Sequence, residues 1–107
     1  MDLNKLKGQL QTEVDTAFLY DSIAAIQSDE NLNRVLRSLS DIEKGHAKHM
    51  LDKVHTLDPK HQMPLPSARA KFQLKLGKLF GYGSIISNLS SIEKQFAVNA
   101  IKNKIEN

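Results

Sequence analysis

The stretch that decides the fold runs from residue 31 to residue 57 and reads NLNRVLRSLSDIEKGHAKHMLDKVHTL. Its apolar residues recur every three or four positions, which places them on one stripe of an α-helix; they are Leu32, Leu36, Leu39, Ala47, Met50, Val54 and Leu57. Arg34, Asp41 and Asp52 fall on the opposite side, which we expect to face solvent. No proline interrupts the stretch, so it predicts one long helix from about Asn31 to Leu57.

A second helix of the same kind precedes it, from about Leu3 to Gln27. The tripeptide Ser28-Asp29-Glu30 between the two helices offers capping side chains and negative charge at the start of the second. Because the connection is so short, the two helices are predicted to form an antiparallel αα-hairpin.

The remainder of the chain predicts a linker and two further helices. All three prolines lie in the segment 58–67, which is expected to be extended. A shorter helix is predicted from about Ala68 to Phe80, ended by Gly81-Tyr82-Gly83, and a last helix from about Ser84 to Ile105. No segment alternates with a period of two, so we expect a single all-α domain over residues 1–107, in which residues 1–57 form the hairpin and residues 68–107 the last two helices.

Composition narrows the function classes. With 107 residues, 40% hydrophobic and 25% charged, the chain is typical of a globular protein with a modest core. The absence of cysteine excludes disulfide scaffolds, thiolate zinc sites and thiol nucleophiles. The first residues lack the basic and apolar regions of a signal peptide, so a cytoplasmic location is expected.

Charge is distributed unevenly. Residues 1–58 hold ten acids and seven bases, whereas residues 59–107 hold two acids and eight bases. In the predicted helix 68–80, Phe72, Leu76, Leu79 and Phe80 oppose Lys71, Lys75 and Lys78, which is the pattern of a basic amphipathic helix on a membrane surface. An ordinary helix packed on a bundle is the more common source of such a pattern. No nucleic-acid motif is present and aromatic residues are sparse, so nucleic acid is not an expected partner.

Glutamates interrupt the apolar stripes of three predicted helices. Glu43 falls in the middle of its stripe, with His46 about 60° to one side. Glu13 shares a face with Leu6, Leu10, Ala17, Tyr20 and Ala24, and Glu93 with Ile86, Leu89, Ala97 and Ala100.

A carboxylate buried in an apolar core costs several kcal/mol unless a partner compensates its charge. A metal cation would do so, and carboxylates with one imidazole suit iron or manganese better than structural zinc. The same pattern also fits a purely structural bundle in which the glutamates are satisfied internally, and the residues alone leave both interpretations open.

The first long helix carries Glu13, and the second carries Glu43, thirty residues later, and then His46. This arrangement resembles the ferritin-like diiron-carboxylate superfamily, particularly its rubrerythrin branch. The run Pro66-Ser67-Ala68-Arg69-Ala70-Lys71, continued through Leu79-Phe80-Gly81, is similar more specifically to the ferritin-like domain attached to vacuolar-iron-transporter-type membrane proteins. The resemblance covers most of the chain.

This resemblance implies an iron-binding protein with a diiron centre that oxidises Fe(II) with dioxygen or peroxide, for storage, detoxification or delivery; manganese is a second candidate metal. Its implied metal ligands are Glu13, Glu43, His46 and Glu93. Tyr20, two turns after Glu13 on the same face, matches a tyrosine often found near the metals and joins Glu13, Glu43 and His46 as an implied catalytic residue.

The sequence departs from the family in one respect. It contains no second Glu-x-x-His, so one chain supplies about four of the six ligands of a complete diiron site. Either the sequence is a piece of a longer protein, or a homodimer or larger homo-oligomer completes the bundle. His49 is expected at the boundary of the stripe, and His55 and His61 in solvent or in the linker.

Two alternatives remain beside the iron-oxidising protein. One is a non-enzymatic helical interaction module, which predicts no tight metal binding. The other is a membrane-associated cytoplasmic domain of an iron or manganese transporter, which predicts contact of the basic helix with a bilayer surface or a transporter domain.

Overall fold

The protein is described by a computed structural model over residues 2–80, which form three α-helices and no β-strand. Helix α1 spans Leu3–Ala25, α2 spans Glu30–His55 and α3 spans Ala68–Phe80. The all-α prediction is confirmed for this part of the chain. The predicted helix from about Ser84 to Ile105, and with it Glu93, lies outside the described residues.

Local side-chain chemistry explains where the helices begin. The Asp2 carboxylate accepts hydrogen bonds from the backbone N–H groups of Asn4 and Lys5, and the Asp29 carboxylate accepts one from Leu32 at 2.8 Å. Each aspartate therefore satisfies backbone donors that a helix start leaves without an intrahelical partner.

The predicted ends of the first two helices were two residues too late. The prediction extended the first helix to Gln27 and the second to Leu57, but α1 ends at Ala25 and α2 at His55. Ile26 and Leu57 are about half exposed, so these two apolar residues continue the sequence pattern without continuing the buried face. The predicted bounds of α3 agree with the structure.

Helices α1 and α2 pack against each other along their length. Near their connection, the Asn33 side-chain amide donates to the Ala24 carbonyl oxygen at 2.7 Å. Midway along, the Ser40 hydroxyl donates to the Ala17 carbonyl at 3.1 Å. At the far end, the Lys7 ammonium lies 3.0 Å from the Asp58 carboxylate. These contacts join the two helices near their connection, at their middle and at the far end, where Lys7 of α1 meets Asp58, three residues after the end of α2.

The apolar core between α1 and α2 consists of two separate clusters. The cluster near the connection comprises Leu19, Tyr20, Ile23, Ala24, Leu32, Leu36 and Leu39. The cluster at the far end comprises Leu6, Leu10, Ala47 and Val54. Between the clusters, in the middle of both helices, lie the buried polar side chains of Ser40 and Glu43.

The linker and α3 are held against α1 by one carboxylate. Asp15 accepts hydrogen bonds from the Ser67 backbone N–H at 2.8 Å and from the Ser67 hydroxyl at 2.6 Å. The Gln11 side-chain amide donates to both Asp15 and the Leu65 carbonyl. The same Ser67 hydroxyl accepts from the Ala70 N–H and so caps the start of α3.

Helix α3 packs on α1, as expected for an ordinary helix of a bundle. Ala70 and Gly77 are buried, and Leu74 packs against the cluster near the connection. Phe72 and Leu79, in contrast, are exposed. Within residues 2–80, no helix combines the length and the apolar character that crossing a bilayer requires.

Candidate metal centre

Glu13, Glu43 and His46 meet in the polar gap between the two apolar clusters. Glu13 lies on α1 between Leu10 and Ala17, and Glu43 lies on α2 between Leu39 and Ala47. The helical repeat places both glutamates on the inward faces, because each is one turn from buried residues on either side. The gap in the apolar core therefore coincides with the two carboxylates.

The distances within the group are short. The Nδ1 atom of His46 lies 3.7 Å from Oε2 of Glu13 and 3.7 Å from Oε1 of Glu43. One ligand atom from each of the three residues lies within 4.8 Å of the other two. Among residues 2–80, Glu13, Glu43 and His46 are the only group of three acidic or histidine side chains close enough to share a metal ion.

Burial differs across the group. The side chain of Glu43 is 4% exposed and that of Glu13 is 27% exposed, whereas His46 is 58% exposed. The sequence placed His46 within the apolar stripe, and the structure corrects this to the stripe's outer edge. The three side chains thus line a site that is closed at Glu43 and open to solvent at His46.

The residues fit a first-row divalent ion. An ion bound at about 2.1 Å from two donors holds them no more than about 4.2 Å apart. The two separations from His46, 3.7 Å each, fall inside this limit, and all three ligand atoms lie within 4.8 Å of one another, which is close to the spacing that one shared ion requires. Two carboxylates offset a divalent charge, and their oxygen atoms with one imidazole nitrogen form a donor set that suits iron and manganese.

The charged groups beside the site are paired with each other. Lys44 follows Glu43 in sequence, but its ammonium lies 2.8 Å from Asp21, which Arg37 also contacts at 3.4 Å. Partial burial alone would raise the pKa of Asp21, yet the hydrogen bonds and positive charges of its neighbours, Lys44 foremost and Arg37 also, together outweigh this effect. As a result, the pKa of Asp21 lies below its ordinary value. Lys44 is therefore engaged on the flank of the site.

The remaining predicted site residues are placed as follows. Tyr20 is 2% exposed and belongs to the cluster near the connection, and its hydroxyl oxygen is buried. His49 is exposed one turn beyond His46, at the boundary expected for it. His55 is only partly exposed, and its Nε2 lies 2.8 Å from the His61 carbonyl oxygen. Glu93 lies outside the described residues.

One buried polar residue of this region was missed by the sequence argument. Ser40 is fully buried one turn before Glu43, and its hydroxyl donates to the Ala17 carbonyl. The sequence does contain a signal for this residue, because Ser40 lies about 60° from Glu43 on the helical wheel and so borders the apolar stripe. A small hydroxyl there is easily taken for a tolerated surface residue.

Comparison of the chain with protein-family models, with curated proteins and with solved structures gave no match. The fold and the site define an all-helical protein with a Glu–Glu–His group that is able to hold a metal ion.

Proposed function

We propose that this protein binds iron through Glu13, Glu43 and His46 and oxidises Fe(II) to Fe(III). The observation that carries the proposal is the convergence of three ligand atoms within 4.8 Å inside the gap between the two apolar clusters. The resemblance of these residues to those of ferritin-like diiron proteins supports the same reading.

Each residue has a distinct part in this proposal. Glu43, buried between the helices, supplies a negative charge that a bound cation offsets, and Glu13 supplies a second carboxylate from the facing helix. His46 contributes the imidazole nitrogen at the open edge, where a small oxidant has access. Carboxylate ligands favour the more highly charged Fe(III), so the site would stabilise the product of oxidation.

Two Fe(II) ions give up one electron each. Dioxygen takes up both electrons with two protons and becomes hydrogen peroxide, or hydrogen peroxide takes up both with two protons and becomes two water molecules. Manganese, which favours the same oxygen-rich donors, is the second candidate metal.

Three protein donors leave coordination positions open, so we propose that the hairpin of α1 and α2 is half of a ferritin-like bundle. Glu93 and a second copy of the chain are the proposed sources of further ligands. A C2 dimer places the same residues from two chains around one axis, which suits a shared two-iron site.

An anaerobic Fe(II) titration with particle mass measured on the same sample tests the proposal. We expect about one iron per chain on a dimer or larger species. Glu43→Gln and His46→Ala should each weaken binding at least tenfold, because loss of even an indirect partner of a ligand costs about 10–100-fold in metal affinity. Oxygen consumption after admission of air then measures oxidation.

His49→Ala is the matched control, because His49 is an exposed histidine one turn from His46 on the same helix. It should bind iron as the unmodified protein does. Unchanged iron binding by both Glu43→Gln and His46→Ala would show that the site is assigned to the wrong residues.

The alternative is a non-enzymatic helical module. It draws on the same 3.7 Å distances, because a protonated His46 between Glu13 and Glu43 forms an internal ion pair that requires no metal. The hypothesis of a helical module predicts negligible iron binding and a melting temperature that a chelator does not change.

A further inference from the structure

The outer face of α3 is held in a fixed orientation. Ser67 attaches the start of the helix to Asp15 through two hydrogen bonds, and Ala70 and Gly77 lie on the buried side of the helix. Leu74 completes this contact. The side of α3 opposite these residues therefore has a defined set of side chains.

That outer face is apolar at its centre. Phe72 is 60% exposed and Leu79 is 74% exposed, and their spacing of seven residues places them on the same side of the helix, two turns apart. Leu65, in the linker just before α3, is 82% exposed. These three are the most exposed large hydrophobic side chains in the part of the chain that the structure describes.

The linker and the exposed surface of α3 are also basic. Residues 59–80 contain five bases and no acid; the bases are Lys60, Arg69, Lys71, Lys75 and Lys78. The four that belong to α3 are all exposed. Within residues 2–80, the ion pairs of lysine and arginine use Lys7, Arg37 and Lys44, and none uses a base of α3.

We propose that the outer face of α3 binds the surface of an anionic lipid bilayer, with Phe72 and Leu79 inserted among the headgroups and the basic side chains contacting lipid phosphates. Apolar residues flanked by lysines suit this environment, because long basic side chains reach the phosphates while the apolar residues enter the acyl boundary. The observations favour a bilayer over nucleic acid, since Leu79 gains nothing from a phosphate backbone.

The absence of tryptophan from the chain permits a direct test. Phe72→Trp introduces a single tryptophan on the proposed face, and Ile42→Trp introduces one at an exposed position of α2 as the control. Phosphatidylcholine vesicles with about one third phosphatidylserine are the probe. We expect the emission of the residue-72 variant to shift to the blue with these vesicles and that of the control to stay unchanged.

Vesicle pelleting separates the apolar and basic contributions. The pair Phe72→Ser and Leu79→Ser should lower partitioning about tenfold, and so should Lys75→Glu with Lys78→Glu. The matched controls are Ile26→Ser with Ile42→Ser, and Lys48→Glu with Lys53→Glu, all at exposed positions. Circular dichroism checks that each variant keeps its helix content.

Several results would overturn the proposal. Equal binding to vesicles of phosphatidylcholine alone would remove the role of charge. Emission already shifted to the blue without vesicles would show that the face is covered within the protein. Loss of binding in the charge variant alone, together with equal binding to RNA, would indicate a general polyanion surface. None of these results depends on iron binding.

Discussion

Glu43 is the one charged side chain that is buried among the described residues. Burial of a carboxylate costs several kcal/mol unless its charge is compensated. Ligand atoms of Glu13 and His46 converge on Glu43, so in the proposed function a bound cation supplies part of that compensation.

The first prediction concerns Glu43→Gln. Without metal, this variant should differ from the unmodified protein by about 1 kcal/mol or less, because glutamine keeps the shape and the polar atoms of the Glu43 side chain and removes only its charge. With Mn(II), only the unmodified protein should gain stability. Urea unfolding with and without metal measures both effects, with the exposed Glu30→Gln as the control. A loss above about 2 kcal/mol in the metal-free variant would show instead that Glu43 is structural.

The second prediction concerns pH and Asp21. Its pKa in the folded protein lies below the ordinary 3.8, so its ion pairs contribute stability that is present above that value and lost as pH falls through the folded pKa. Asp21→Asn should therefore be less stable than the unmodified protein at pH 7, by about 1 kcal/mol or less, because the pair is partly solvated. The difference should vanish in acid. Urea unfolding of both proteins across pH checks this, and an equal difference at pH 7 and in acid would contradict it.

At the scale of the elements, α3 and the linker depend on a few polar contacts with α1 rather than on a large apolar interface. Asp15 accepts two hydrogen bonds from Ser67, and the helix contributes mainly small residues to the packing. Small residues bury little area, so each hydrogen bond matters more here than it does between α1 and α2.

The third prediction follows from this contact. Asp15→Ala should lower the free energy of unfolding by about 1–3 kcal/mol, because the Ser67 N–H and hydroxyl lose their acceptor. It should also speed proteolysis within residues 59–80, which limited digestion with mass spectrometry detects. Asp52→Ala, at an exposed position of α2, is the control and should change neither quantity. Unchanged proteolysis in Asp15→Ala would mean that apolar contacts alone hold α3.

At the scale of the whole molecule, the polar layer at Ser40 and Glu43 divides the core. The two apolar clusters on either side of it each lie between the same two helices. A continuous apolar core would be more stable, so the layer marks a place where stability is given up. In the proposed function, a bound metal ion restores that stability by joining the two helices at the layer.

The fourth prediction is therefore a metal-dependent melting temperature. A ligand that binds only the folded state at about one hundred times its Kd adds about 2.7 kcal/mol of stability, so Mn(II) should raise the melting temperature by several degrees. A chelator should reverse the rise, and Glu13→Gln should abolish it. His49→Ala should keep it. Identical melting curves with metal and with chelator would favour the helical module.

Local patterns were enough to predict the three helices and the inward positions of Glu13 and Glu43. Caps and apolar periodicity are properties of neighbouring residues, so Asp29 could be read directly as a start of α2, whereas the Asp2 cap was found only in the structure. The ends of α1 and α2 were predicted two residues too late, since Ile26 and Leu57 extend the apolar pattern but remain about half exposed. The packing face of α3 was not predicted, because hydrophobicity ranks Phe72 above Ala70.

The sequence by itself determined the helical class, the helix starts and the carboxylates in the apolar stripes, because each depends on residues a few positions apart. Only the tertiary structure decided that Glu13, Glu43 and His46 lie close together, that His46 is at the open edge of the group, and that Phe72 and Leu79 of α3 are exposed. These features depend on how two helices are oriented against each other, and that orientation involves residues far apart in the sequence, which a local pattern does not relate.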